Sequence, residues 1–186
     1  MSEPPTVNQK KTAAMSRGEK DSFEVTDAED DELAANLAAI GYAGFSHVEK
    51  SARVKSAAEI LIAALARNDL DARTVEALPW LILQIVETDW SEVVKVATAK
   101  ELQNRLGFAT SLARAVAEET SAKDVAALLK RREESLAASR LLREDVFCND
   151  SLTETEKRWI RRNRTAEARF WRVLSDLKAE HLNYAD

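Results

Sequence analysis

The stretch Trp80-Leu81-Ile82-Leu83-Gln84-Ile85-Val86 constrains this chain more than any other: six of its seven residues are apolar, and it follows directly on Pro79. A run that is apolar on every side has to be covered on every side, so other elements must surround it. Over seven residues the period alone does not separate a buried helix from a buried strand. The background decides. With four glycines and three prolines in 186 residues, the chain has few of the turn residues a sandwich or barrel needs. Ala, Leu, Glu and Arg are abundant, which favours helices. Trp80 to Val86 therefore reads as a buried helix that begins at Pro79 or is kinked by it.

Start signals recur along the chain. Thr26-x-x-Glu29, Ser46-x-x-Glu49, Asp89-x-x-Glu92 and Thr153-x-x-Glu156 each match a capping box, in which hydroxyl or carboxylate and glutamate satisfy orphan amides. Leu33, Leu37 and Ile40 follow the first at helical spacing, with Gly41 as the stop. Val54, Ala57, Ala58, Leu61, Ala64 and Leu65 make one stripe on a helix expected from Ser46 to about Arg67, with Lys50, Arg53 and Lys55 on its first half. Leu102, Leu106, Ala109, Ala113 and Val116 make another, with Gly107 inside it as a close crossing or a break. From Lys123 to Arg143 the stripe is Val125, Leu128, Leu129, Leu136 and Leu142, and Lys130 to Glu134 reads as a solvent face. The expected architecture is one all-α, helical-bundle-like domain of about six to eight helices over residues 26–186, behind a disordered arm over residues 1–25.

Several function classes are disfavoured. The only histidines, His47 and His181, are far apart, there is a single cysteine, Cys148, and no ligand spacing for a metal exists. No nucleophile, base and orienting group stand together, so no catalytic residue, metal or cofactor is expected. One cysteine fits a reducing cytoplasm. No apolar run is long enough to span a membrane, and there is no secretory h-region.

The charge is ordinary in total, −5, but uneven: residues 27–49 hold six acids and no Lys or Arg, and residues 151–186 hold eight bases and six acids. Two kinds of site follow. Asp27, Asp30, Asp31 and Glu32 are candidates for contact with a basic protein partner, as is the polar knot Gln103-Asn104-Arg105, of which one or two side chains are expected to reach inward. Arg105 is expected to pair with Asp89. For nucleic acid, residues 99–111 can be laid on a helix-turn-helix with Gly107 as the turn and Thr110, Ser111 and Arg114 facing bases. Arg158, Arg161, Arg162 and Arg164, on a basic helix that also carries Trp159, are the second nucleic-acid candidates.

Ala77 to Leu81, Asp89-Trp90, Leu102 to Phe108 and Phe170 to Leu177 together resemble a group of small bacterial helical proteins encoded in two-gene modules like toxin–antitoxin pairs. The resemblance implies an interaction or regulatory protein with no catalytic residues, and brings DNA autoregulation with it. The leading expectation is a non-enzymatic, antitoxin-type regulator that neutralises a protein partner through its acidic front. The alternative is a DNA-binding transcriptional regulator.

Overall fold

The computed structural model describes residues 30–85, 87–182 and 184. The arm expected over residues 1–25, the Thr26 cap and Asp27 lie outside the described residues. The rest is all-α, as the composition requires. Helix α1 covers described residues 30–39. There follow a 3-10 turn Ala43–Phe45, α2 (Ala57–Leu65), α3 (Ala72–Gln84), α4 (Glu87–Ala99), α5 (Gln103–Glu119) and α6 (Lys123–Ala137). The chain then passes through β1 (Asp145–Val146), α7 (Glu154–Asn163), α8 (Ala166–Phe170), β2 (Val173–Leu174) and a 3-10 turn Ala179–His181.

The first correction concerns α2. No helix starts at Ser46: residues 46–56 form turns and extended chain, and the box that closes is Ser56-x-x-Glu59. The Ser56 hydroxyl accepts from the Glu59 amide at 3.2 Å, and the Glu59 carboxylate accepts from the Ser56 amide at 2.8 Å. Val54, assigned to the apolar stripe, is exposed. Lys50, Arg53 and Lys55 precede the helix rather than crowding its positive end. The segment is held by α1 instead, since Asn36 Oδ1 accepts from the Lys55 amide and Ala35 O from the Ser51 amide.

Asp71 starts α3 by accepting from the amides of Arg73 and Thr74. The helix then runs through Pro79, whose ring is buried with Ala77, Leu78, Leu81 and Ile82. Proline forfeits one backbone bond there, and burial of its ring with four neighbouring apolar groups outweighs it. Of the run that follows, Leu81, Ile82 and Ile85 are buried, Trp80 and Leu83 are partly buried against the core, and Ile85 turns extended to end the helix. The third expected box is also corrected: α4 has begun by Glu87, which places Asp89 within its first turn.

Helix α5 is the centre. It packs against α3, α4, α6, α8 and β2, and every residue from Gln103 to Ala113 is buried. Gly107 neither breaks it nor admits another backbone. It admits the indole of Trp171, so close that a Cβ at position 107 would lie 2.3 Å from two ring carbons. Trp171 is fully buried, and its Nε1 points to Glu133 at 3.4 Å.

Two further expectations give way. The face Lys130 to Glu134 is not all solvent: Arg132 is buried, donating to Ile85 O and Glu87 and lying 4.6 Å from the centre of the Trp90 ring. Val125 and Leu142, by contrast, are exposed. At the C-terminal side, residues 170–177 do not form one helix. Arg164 is extended, Thr165 caps the five-residue α8, Arg172 takes φ +55, and Val173–Leu174 pair in parallel with β1. Asp145 lies opposite Val173 and Val146 opposite Leu174. Phe147 and Cys148 leave β1 straight into the core, with Phe147 edge-on to Phe108 at 5.0 Å.

Candidate partner-binding groove

The polar knot at the head of α5 is structural. All three side chains are buried, against the expectation of one or two. Successive residues on a helix point three ways, and this helix is covered on all of them. Asn104 Nδ2 donates to Leu141 O and Arg143 O, and its Oδ1 accepts from the Leu141 amide at 2.9 Å. Arg105 donates to Leu65 O and Arg67 O and forks onto Asp145 at 3.0 and 2.9 Å. Its partner is therefore Asp145 and not Asp89. Gln103 Oε1 is buried without a hydrogen bond.

The remaining sequence candidates are scattered. Asp30 pairs with Arg67 at 2.8 Å and Glu32 with Lys55 at 2.6 Å, so much of the acidic front is neutralised by the chain itself, while Asp31 is exposed. The turn expected at Gly107 is absent, because α5 is continuous through it. Thr110 and Ser111 are fully buried and bond back to Leu106 O and Phe108 O, and Arg114 is held between Glu118 and Glu133. None of these three presents itself to a base edge as placed here. Arg161 on α7 and Arg164 just past its end converge on Glu144 at 2.7 and 2.9 Å, whereas Arg158 and Arg162 lie exposed on the helix.

What the structure does bring together is a groove of about 450 Å³ between the start of α3, the chain leaving β1, α7 and the chain leaving β2. Its frame follows from local bonds. Leu70 N donates to Cys148 O, Asp150 N to Asn68 O, and Ser151 N to Asp69 Oδ1, which straps residues 148–151 to the entry of α3. Thr153 then caps α7 by a complete capping box, as its sequence signals. The floor is Phe147 and Leu174. The walls are Leu70 and Val75 on one side, Ile160 and Trp159 on the other. Trp159 is 57% exposed, a large aromatic surface for a position beside a concavity.

The charged groups at this groove carry one sign. Glu76, Glu156 and Asp176 line it, and no lining residue among the described residues is basic. The Thr153 hydroxyl and amide donate to Glu156 at 2.6 and 2.7 Å and hold its carboxyl below the usual carboxylate range, so it is anionic at neutral pH. Cys148 also borders the groove, but burial pushes its thiol up to about 12, against the opposing charge of Arg105. At neutral pH it is a thiol and a poor nucleophile. Among the described residues, no group of three His, Cys, Asp or Glu is placed to hold a metal ion. No helix among them is long and apolar enough to cross a membrane.

Sequence reasoning missed this site because its lining comes from four separate segments. The available signal was Trp159: an aromatic one turn beyond a capping glutamate, on a helix whose only buried side chain is Ile160. No family model matches the chain, and neither a curated protein nor a solved structure matches it.

Proposed function

We propose that the protein is a non-enzymatic regulator of antitoxin type that binds and neutralises a protein partner in the groove beside α7. The observation that carries this reading is the union of an apolar concavity, an exposed Trp159 and three carboxylates with no base among them. A surface of that kind suits an amphipathic, positively charged segment: apolar anchors enter the concavity, Trp159 covers them, and Lys or Arg side chains meet Glu76, Glu156 and Asp176. A partner that acts on nucleic acid carries such cationic segments at its own working cleft, and occupying one would silence it. The docking face thus moves from the acidic front of α1, whose Asp30 and Glu32 are already paired, to the acidic groove.

The test is a crosslink from position 159. The full chain, tagged and carrying a photoreactive residue in place of Trp159, is expressed in its own host, and the captured protein is purified and assayed. The expected partner is basic, loses its activity when the chain is added, and regains it with Asp176→Lys or Glu76→Lys. A partner that binds Trp159→Ala and Asp176→Lys as tightly as the wild type refutes the groove. A partner whose activity is untouched refutes neutralisation. The DNA-binding reading draws on the exposed Arg158 and Arg162 of α7. Salt-dependent binding to a duplex operator that is lost on Arg162→Ala would support it instead.

A further inference from the structure

The segment between α6 and β1 gathers arginines from three parts of the chain. The parallel register of β1 and β2 sets residues 140–144 beside residues 169–172, and Asp145 N donates to Arg172 O. Across this junction Arg172 donates to Leu142 O at 3.0 Å. Arg140 donates to Phe170 O and lays its guanidinium 4.3 Å from the centre of the Phe170 ring. Arg161 on α7 and Arg164 just past its end reach in to Glu144, and Arg143 extends to Glu101 at 2.9 Å. Of these five arginines, three pair with two carboxylates, Glu101 and Glu144, and two bond backbone carbonyls. The nearby Asp145 is taken by Arg105.

Two features make this more than a solvated cluster. Arg140 and Arg172 are each fixed through a backbone carbonyl, which holds the guanidinium in place while leaving further N–H groups to donate. At the centre stands Phe170, 46% exposed, edge-on to Trp171 and bearing a cation on its face. An exposed ring among fixed arginines offers a base something to stack on and its phosphates something to pair with. The patch lies on the other flank of α7 from the groove: Glu156, Trp159 and Ile160 line the groove, while Arg161 and Arg164 turn to Glu144. Reading a duplex would need an element that enters a major groove, and α8 spans only five residues.

We propose that this arginine knuckle binds single-stranded nucleic acid, with Phe170 stacking on a base and Arg140, Arg143 and Arg172 holding phosphates. The test is fluorescence anisotropy of the full chain with a labelled, mixed-sequence single strand and with the duplex of the same length. With three phosphates held, affinity falls by roughly 20-fold between about 50 and about 200 mM salt. Phe170→Leu weakens binding by about fivefold or more, and Arg143→Gln lowers the salt slope by about 0.7. Trp159→Ala, on the other flank, leaves binding unchanged. Circular dichroism confirms that each variant is folded. Since Arg143 is mostly exposed, its variant keeps the idea testable if Phe170→Leu unfolds. Absence of single-strand binding at low salt, equal affinity for the duplex, or full affinity in a folded Phe170→Leu or Arg143→Gln variant overturns the proposal.

Discussion

Replacing a helix glycine by alanine ordinarily stabilises a protein by up to ~1 kcal/mol, because glycine loses more backbone freedom on folding. Gly107→Ala in this chain has the opposite sign. The new methyl would sit 2.3 Å from Cε3 and Cζ3 of Trp171 and 2.5 Å from Cδ2, where carbon atoms normally keep about 3.5–4.0 Å. More than an ångström must be found. The indole cannot easily supply it: it is fully buried, its Nε1 faces Glu133, and its amide is bonded to Glu167 O. Helix α5 is covered on all sides and cannot retreat. Overpacking costs about 1–3 kcal/mol; contacts this close belong to the upper part of that range, about 2–3 kcal/mol, and a helix gain of up to ~1 kcal/mol leaves a net loss of ~1–2 kcal/mol. Urea unfolding followed by circular dichroism reads it as a lowered midpoint at constant slope. The cycle with Trp171→Leu isolates the cause. That variant alone is strongly destabilised, but adding Gly107→Ala to it is neutral or stabilising, because the crowded ring has gone. A Gly107→Ala protein as stable as the wild type, or a second substitution that costs the same in both backgrounds, would refute the steric argument.

Arg105→Met leaves Asp145 and the carbonyls of Leu65 and Arg67 without their donor and costs about 3–5 kcal/mol in urea unfolding. Arg105→Lys does not restore it, since one ammonium cannot span the three acceptors. Ser56→Ala lowers the melting midpoint by about 2–4 °C while Ser46→Ala does not, which separates the cap that forms from the one that the spacing suggested. Stability falls as pH rises above 9: burial raises the Cys148 thiol from 9.0 to about 12, and burial with the charges of Glu76 and Asp71 raises Tyr42 from 10.0 to about 12. The unfolded chain therefore releases these protons first, so this contribution is complete below pH 9 and is lost as pH rises to about 12. Urea midpoints across this range check it, and Cys148→Ala removes the thiol's share, which begins near pH 9.

Sequence pattern reached some elements and not others for identifiable reasons. The cap at Thr153, the stop at Gly41 and the all-α class were legible because they depend on neighbouring residues alone. The Ser46 box failed because Ser56-x-x-Glu59 carries the same signature ten residues later, directly ahead of the stripe that is buried. For Gln103, Asn104 and Arg105 the inward reach of one or two side chains was legible, but not the burial of all three. Their partners, Leu141, Leu65 and Asp145, lie about 40 residues away in sequence and leave no periodic trace. The two-residue strands were out of reach for the same reason, since each is defined only by the other. The groove, assembled from four such segments, inherits that opacity, and only Trp159 announced it.

The pairing of Gly107 with Trp171 also sets an order in time. A chain leaves the ribosome from its N-terminus, so Gly107 emerges 64 residues ahead of the indole that covers it. At about 5–20 residues per second the delay is roughly 3–13 s. Throughout it, α5 can form and recruit α3 and α4 but keeps one apolar flank bare. Helix α5 must therefore wait for a residue made 64 positions later. During those seconds the nascent chain displays the surface that chaperones recognise and that neighbouring copies would bury in one another. Slowing translation just upstream of Trp171 would lengthen that exposure without altering a single residue of the product.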